Sequence, residues 1–236
     1  MLSEIYQIKV TLRGTRPPLW RRLLVPAELT LEQLHAALQA AMGWDDSHLH
    51  EFRIGSQRFG KPDPNERWLG RSVTLSERTT RLSAAMGRVG AKAVYAYDFG
   101  DGWQHELAVE KVLVPEPGHR YPTCIDGRCQ GPPEDCGGIG GFYHLLEAIR
   151  DPKHREHEEL SEWLGRDFDP DAFSVDAVNR RLVHLQRRTS KTAAAREANP
   201  KFNNYAPSPK GHSGNDPQPK PPSPYARRAR SADFLP

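Results

Sequence analysis

Cysteine is scarce in these 236 residues: there are three, an odd number, which excludes a closed disulfide framework and fits a reducing compartment. Aliphatic and aromatic side chains are also thin, at 37% hydrophobic and 8% aromatic. No apolar run approaches the roughly 20 residues that cross a bilayer. The opening stretch Met1-Leu2-Ser3-Glu4-Ile5-Tyr6-Gln7 lacks the apolar core of a signal peptide. The expectation is a cytoplasmic protein with no membrane partner. A basic surplus is missing from most of the chain as well. Residues 189–236 hold eight Lys/Arg against three Asp/Glu, while the preceding 188 hold 25 against 27. A globular part at −2 gives no electrostatic footprint for nucleic acid, and only the C-terminal stretch is cationic.

Proline and turn residues, by contrast, are plentiful. Residues 200–236 contain nine prolines among Ser, Lys, Asn and Gly, so residues 189–236 read as a disordered, Pro-rich basic tail after a domain over residues 1–188. Within the domain, Tyr6, Ile8, Val10 and Leu12 alternate with polar residues and predict a strand, and Leu19 to Val25 predicts its hairpin partner. Thr30 followed by Gln33 has capping-box spacing, and Leu31, Leu34, Leu38 and Met42 form one helical stripe that Gly43 can end. His48, His50, Phe52 and Ile54 share one face of a third strand. A second hairpin bends at Gly100-Asp101-Gly102, with Trp103, His105, Leu107 and Val109 on one side of its second arm. Pro115 to Gly141 is expected as one long loop, followed by helices carrying Phe142 to Ile149, His154 to Leu164, and a last one capped by Ser174.

The chemistry is concentrated between positions 98 and 138. The hairpin reads Tyr97-Asp98-Phe99-Gly100-Asp101-Gly102-Trp103-Gln104-His105, and the loop beyond carries Cys124, Cys129, Pro132-Pro133-Glu134-Asp135-Cys136 and Gly137-Gly138. A kinase reading of Asp98-Phe99-Gly100 lacks the glycine-rich loop, strand lysine and catalytic loop that such chemistry needs. The thiols Cys124, Cys129 and Cys136 with His105 offer the four N/S donors of a tetrahedral zinc site, against the alternatives of plain packing or one reactive cysteine. Asp98, Asp101, Glu134 and Asp135 offer a carboxylate group for a hard cation, against ordinary turn and helix-end roles. His48 and His50 on one strand face offer a third metal arrangement, against a hydrogen-bonded strand surface. Trp20-Arg21-Arg22 with Arg13 and Arg16 offers a phosphate- or base-binding patch, against an exposed strand face that needs no partner.

These segments occur in a specific order. Ile8-Lys9-Val10-Thr11-Leu12, Pro18-Leu19-Trp20-Arg21-Arg22, Thr30 to Trp44 and His48-Leu49-His50-Glu51-Phe52 come first. The hairpin motif, Pro122-Thr123-Cys124, Pro132 to Gly138, Asp167-Phe168-Asp169-Pro170 and Val178-Asn179-Arg180-Arg181-Leu182 follow. In that order, over roughly Ile5 to Leu185, the chain resembles the plasmid pRiA4b ORF-3-like family, whose members are also labelled transposon-passenger TnpR-like proteins. The resemblance implies an α+β domain with a split ubiquitin-like (β-grasp-like) sheet, a packed helix and C-terminal helices, and a mobile-element setting. Family members often carry a cysteine just before Pro-Pro-Glu-Asp, where this chain has Gly131. Two functions follow as expectations. One is a non-catalytic binding or adaptor domain for a protein or nucleic-acid partner, with a structural metal, zinc, in the Cys124–Cys136 loop. The other is a metal-dependent hydrolase or nuclease using Asp98, Asp101, Trp103, His105, Glu134 and Asp135.

Overall fold

The computed structural model describes residues 4–63, 73–165 and 168–185; the tail expected from Thr189 lies outside them. The chain runs β1 (Ile5–Leu12), β2 (Leu19–Pro26), α1 (Leu31–Met42), β3 (His50–Ile54), β4 (Gln57–Gly60), β5 (Thr74–Ser76), α2 (Leu82–Met86), β6 (Lys92–Tyr97), β7 (Trp103–Leu113), β8 (Thr123–Arg128), α3 (Gly138–Arg150) and α4 (His157–Leu164), then α5 over 175–185. The strands make one eight-stranded sheet in the order β5-β4-β3-β6-β7-β1-β2-β8. All neighbours pair antiparallel except β4 and β5. None of the described helices is long and apolar enough to cross a membrane.

Residues directly opposite on adjacent strands share a sheet face, so the register identifies the inner one. Phe59, Phe52, Tyr95, His105, Leu12 and Leu19 lie on a single row across six strands. The next rows toward the other end of β1 bring Val10 beside Arg21 and Leu107, then Ile8 beside Leu23 and Val109. All of these are buried. The opposite face carries Lys9, Trp20, Arg22, Glu106 and Glu110, the alternation of a sheet covered on one side only. There Arg22 pairs with Glu110 and Asp126, and Lys9 and Arg22 both lie over the Trp20 ring.

Helix α1 covers the inner face. Its capping box forms in both directions, Thr30 Oγ1 accepting from the Gln33 amide and Gln33 Oε1 from the Thr30 amide. Gly43 ends it in the left-handed region at φ 88°. Leu31, Leu34, Ala37, Leu38 and Ala41 are buried beneath it. Its C-terminal carbonyls receive two guanidinium groups: Arg21 Nε donates to Ala41 O and Arg181 Nε to Ala40 O. The last turn has no basic residue of its own, so these two arginines complement the negative end of the helix dipole.

The segment expected as one loop from Pro115 to Gly141 contains a strand. β8 pairs with β2 along its outer edge, setting Cys124 opposite Leu23, with a register shift between Arg22 and Leu23. Asn179 of α5 then completes the free edge of β8. Its Oδ1 accepts from the Cys124 amide at 2.7 Å and from Thr123 Oγ1 at 3.1 Å, while its Nδ2 donates to Cys124 O at 2.9 Å. The amide side chain thus substitutes for a ninth strand and anchors α5, which Ser174 caps through the Ala177 amide.

Candidate functional site

The β6–β7 turn is wound around Asp98, a non-glycine residue at φ 51°. Its Oδ1 accepts from the amides of Gly100 (2.9 Å) and Asp101 (3.3 Å), and its carbonyl accepts from the Gly102 amide. These bonds hold the left-handed backbone and leave Oδ2 to face His48. Asp101 turns the other way: Oδ2 accepts from the Gly137 amide at 3.1 Å. A Cβ on Gly138 would stand 2.2 Å from Asp101 O, so the start of α3 can press this closely on the turn only as glycine. That clamp brings the Pro132–Cys136 loop over the hairpin. Trp44 fixes the loop's other end by donating Nε1 to Pro132 O at 2.8 Å. At Gly131 a Cβ would lie 2.1 Å from Met42 O; this backbone admits glycine alone.

Three carboxylates and one imidazole meet there. His48 Nε2 lies 3.1 Å from Asp135 Oδ1, 3.7 Å from Asp98 Oδ2 and 3.9 Å from Glu134 Oε2. The donor atoms of His48, Asp98 and Asp135 all fall within 4.8 Å of one another. Short as these distances are, neither His48 Nε2 nor Glu134 Oε2 makes an aligned hydrogen bond, although both atoms are buried. Buried polar atoms are ordinarily satisfied, so this pair marks the site. Asp135, like Asp98, stands in the left-handed region, at φ 56°; such strain in non-glycine residues gathers at functional sites. Asp98 is 8% exposed and Asp135 is 49% exposed, so the group is closed on the hairpin side and open on the loop side.

Glu134 is the most perturbed member. Its Oε1 accepts from the Tyr97 hydroxyl at 2.9 Å and the Asp45 amide at 3.1 Å. Burial nevertheless pushes its carboxyl up to about 7, because the bonds from Asp45 and Tyr97 offset only part of the lost hydration. Glu134 and Asp135 also wall a cleft of about 810 Å³ between the loop, the end of α1 and α5.

Of the residues singled out from the sequence, Asp98, Glu134 and Asp135 therefore converge, and Asp101 supports them from behind. Trp103 and His105 sit beneath the site in the core. His105 is fully buried with neither ring nitrogen in an aligned hydrogen bond, packed between Trp44 and Tyr95, and burial lowers its pKa to about 3. The three cysteines are free and buried. Among the described residues, no group of three converging donors includes a thiol. Cys124 lies in β8 and Cys129 at its end, near Arg21, whereas Cys136 lies near Asp101; burial raises the thiols of Cys124 and Cys136.

His48 lies just before β3, which begins at His50, and the two imidazoles belong to different groups of converging donors: His48 packs against Tyr97, His50 against Tyr95. His50 Nε2 instead meets Glu77 at 2.7 Å, and its ring stacks on His35 at 3.5 Å and 6°. His35 Nε2 has its own carboxylate, Asp46, also at 2.7 Å. The donor atoms of His35, His50 and Asp46 also fall within 4.8 Å of one another, but the two ring planes are parallel and offset, so one ion cannot lie in the plane of both imidazoles. Arg21 also departs from the exposed strand face expected of it. It lies on the row between Leu19 and Leu23 and is 2% exposed, a position that the alternation of β2 already marks as inward.

The model of the plasmid pRiA4b ORF-3-like proteins matches residues 4–177. The chain belongs to this family. It is 39% identical over 195 residues to the uncharacterized protein y4hQ of Sinorhizobium fredii (strain NBRC 101917 / NGR234), covering 82% of this chain and 98% of that one. It is also similar to the crystal structure of a protein of unknown function, MM3350 from Methanosarcina mazei Go1. That match has a TM-score of 0.68 and 35% identity, over 75% of this chain and 97% of the other. Nearly the whole length of both relatives is spanned, so the sheet, α1 and the loop carrying Glu134 and Asp135 fall within the matched family region.

Proposed function

We propose that this family member is a divalent-cation-dependent hydrolase whose ion is held by His48, Asp98 and Asp135, with Glu134 as general base. The observation that carries the reading is the convergence of one imidazole and two carboxylates within 4.8 Å, beside a carboxyl whose outer oxygen has no partner. Three protein donors leave coordination positions open, the arrangement of catalytic rather than structural sites. Oxygen-rich donors with one imidazole suit manganese or magnesium and accept zinc. The thiols are separate from this group, so a zinc ion here would be held by histidine and carboxylates.

Glu134 has the properties of a base for water. Its carboxyl titrates near neutrality, its Oε1 is fixed by Tyr97 and Asp45, and its Oε2 is free beside His48 and the cleft. Tyr97 and the Asp45 amide orient the carboxyl without taking its reactive oxygen. The elements that position these groups also exclude water from one side, since Trp44, Tyr97 and Trp103 pack directly beneath.

The test is direct. Isothermal titration of the full chain with Mn²⁺, Mg²⁺ and Zn²⁺ is followed by screening the loaded protein against chromogenic phosphomonoesters, phosphodiesters and carboxylic esters. Glu134→Gln is expected to retain the ion and lose about 10²–10⁴-fold in turnover. Undiminished turnover in that variant, or no activity on any ester class with the ion bound, would favour a non-catalytic binding domain instead.

A further inference from the structure

The same cleft has a second, oppositely charged wall. Arg21 and Arg181 line it together with Glu134 and Asp135. Opposite charges sharing a cleft normally pair, yet among the described residues neither arginine has a carboxylate partner. Arg21 is held by carbonyls alone: Nε to Ala41 O, and Nη1 to Trp20 O and Arg128 O, each at about 3 Å. The Phe173 ring lies 4.8 Å over its guanidinium. Among the described residues its Nη2 has no acceptor. Arg181 donates Nε to Ala40 O, and among the described residues its Nη groups have no hydrogen-bond partner. The two guanidiniums are close enough that the charge of Arg181 helps burial lower Arg21 to about 10.

Capping of α1 explains why the two Nε atoms are where they are. It does not explain why two guanidiniums whose charges reach each other line a cleft whose other wall is Glu134 and Asp135. A buried cation is normally paired, and an uncompensated guanidinium in a walled cleft is a site for an anion. Two positive charges and several planar N–H donors match a dianionic phosphoryl group better than a single carboxylate.

We propose that the cleft binds a phosphoryl group through Arg181 and Arg21. That this group belongs to the substrate of the site, a phosphate ester placed with its reacting end toward Glu134, rests on the hydrolase reading; the anion site itself does not.

The experiment uses inorganic phosphate as the probe, on the full chain without metal. Thermal shift and isothermal titration compare it with acetate and chloride at matched ionic strength. Phosphate is expected to bind saturably and raise Tm, with acetate and chloride without comparable effect. Arg181→Gln removes an exposed side chain that makes one hydrogen bond among the described residues. It is expected to fold and to weaken phosphate about tenfold, while Mn²⁺ affinity stays unchanged. Arg21→Lys, if folded, is expected to weaken it as well. Equal responses to chloride and phosphate, or unchanged phosphate affinity in Arg181→Gln, would overturn the proposal. If both variants fail to fold, the comparison of phosphate with acetate on the unaltered chain decides it. Mn²⁺ binding without phosphate binding sinks this inference alone. Phosphate binding lost in Arg181→Gln, with no Mn²⁺ binding, sinks the metal reading alone.

Discussion

Replacing Glu134 by Gln is expected to make the protein more stable, and increasingly so as the pH rises. In the folded state the carboxyl titrates near 7, against 4.5 for the free group. Below 4.5 it is protonated whether the chain is folded or not, and it carries no penalty. Between 4.5 and 7 the unfolded chain ionises first and releases its proton, so folding stability falls as pH rises through that window. Above 7 both states are ionised and the loss is complete. A difference of this size corresponds to about 3 kcal/mol at 1.36 kcal/mol per unit. Residual hydration of a side chain that is 17% exposed brings the expected figure nearer about 1–2 kcal/mol. Glutamine keeps the acceptor for Tyr97 and the Asp45 amide but carries no charge. Urea unfolding of both proteins without metal, from pH 4 to 8.5, should give coincident midpoints in acid and a gap that opens up to pH 7 and then levels. A gap that is constant with pH, or Glu134→Gln less stable throughout, would mean that the carboxylate is ionised and well partnered, and the base assignment would fall.

Two further outcomes follow from the packing. His105 is buried and neutral, with a folded pKa of about 3 against 6.5, so the unfolded chain gains a proton first on acidification. Stability should then fall by about 1.4 kcal/mol per unit between roughly pH 6 and 3, and His105→Leu should flatten that limb of the pH–stability curve; a limb of unchanged steepness would show that the imidazole has a partner. Asn179→Ala removes three hydrogen bonds to the edge of β8 and should cost about 1–3 kcal/mol, with faster hydrogen exchange at the Cys124 amide; unchanged exchange there would mean that α5 does not close that edge.

Much of the scaffold was legible because its signals are local. The alternation of β1 and β2, the Thr30–Gln33 capping box and the Gly43 stop each depend on neighbours within a few residues, and all three formed. β8 was not legible: Asp126-Gly127 interrupt its alternation, and its pairing with β2 spans about a hundred residues. The site was legible in part for the same reason. Asp98, Glu134 and Asp135 stand out as turn carboxylates near glycines, but their common partner His48 lies some fifty residues before the hairpin. Strand alternation sets it beside His50, whereas its donor partners come from the hairpin and the loop beyond. The cysteines and His105 suggested a zinc set from their spacing and residue types, and spacing cannot show which donors meet: among the described residues no thiol joins a group of three. Arg21 was misread although its alternation with Leu19 and Leu23 points inward, because a charged residue in a core position contradicts the usual rule of burial.

The central claim is that His48, Asp98 and Asp135 form a cation site, and Mn²⁺ titration of the full chain against Asp98→Asn tests it most directly. Asparagine keeps the shape of the turn and an acceptor for the Gly100 and Asp101 amides, while removing the charge of a donor that is 8% exposed. The account predicts one equivalent of Mn²⁺ bound by the unaltered protein and an affinity at least about tenfold weaker in the variant, with both chains equally folded by circular dichroism. No binding by the unaltered protein, or equal affinity in the two, would contradict it.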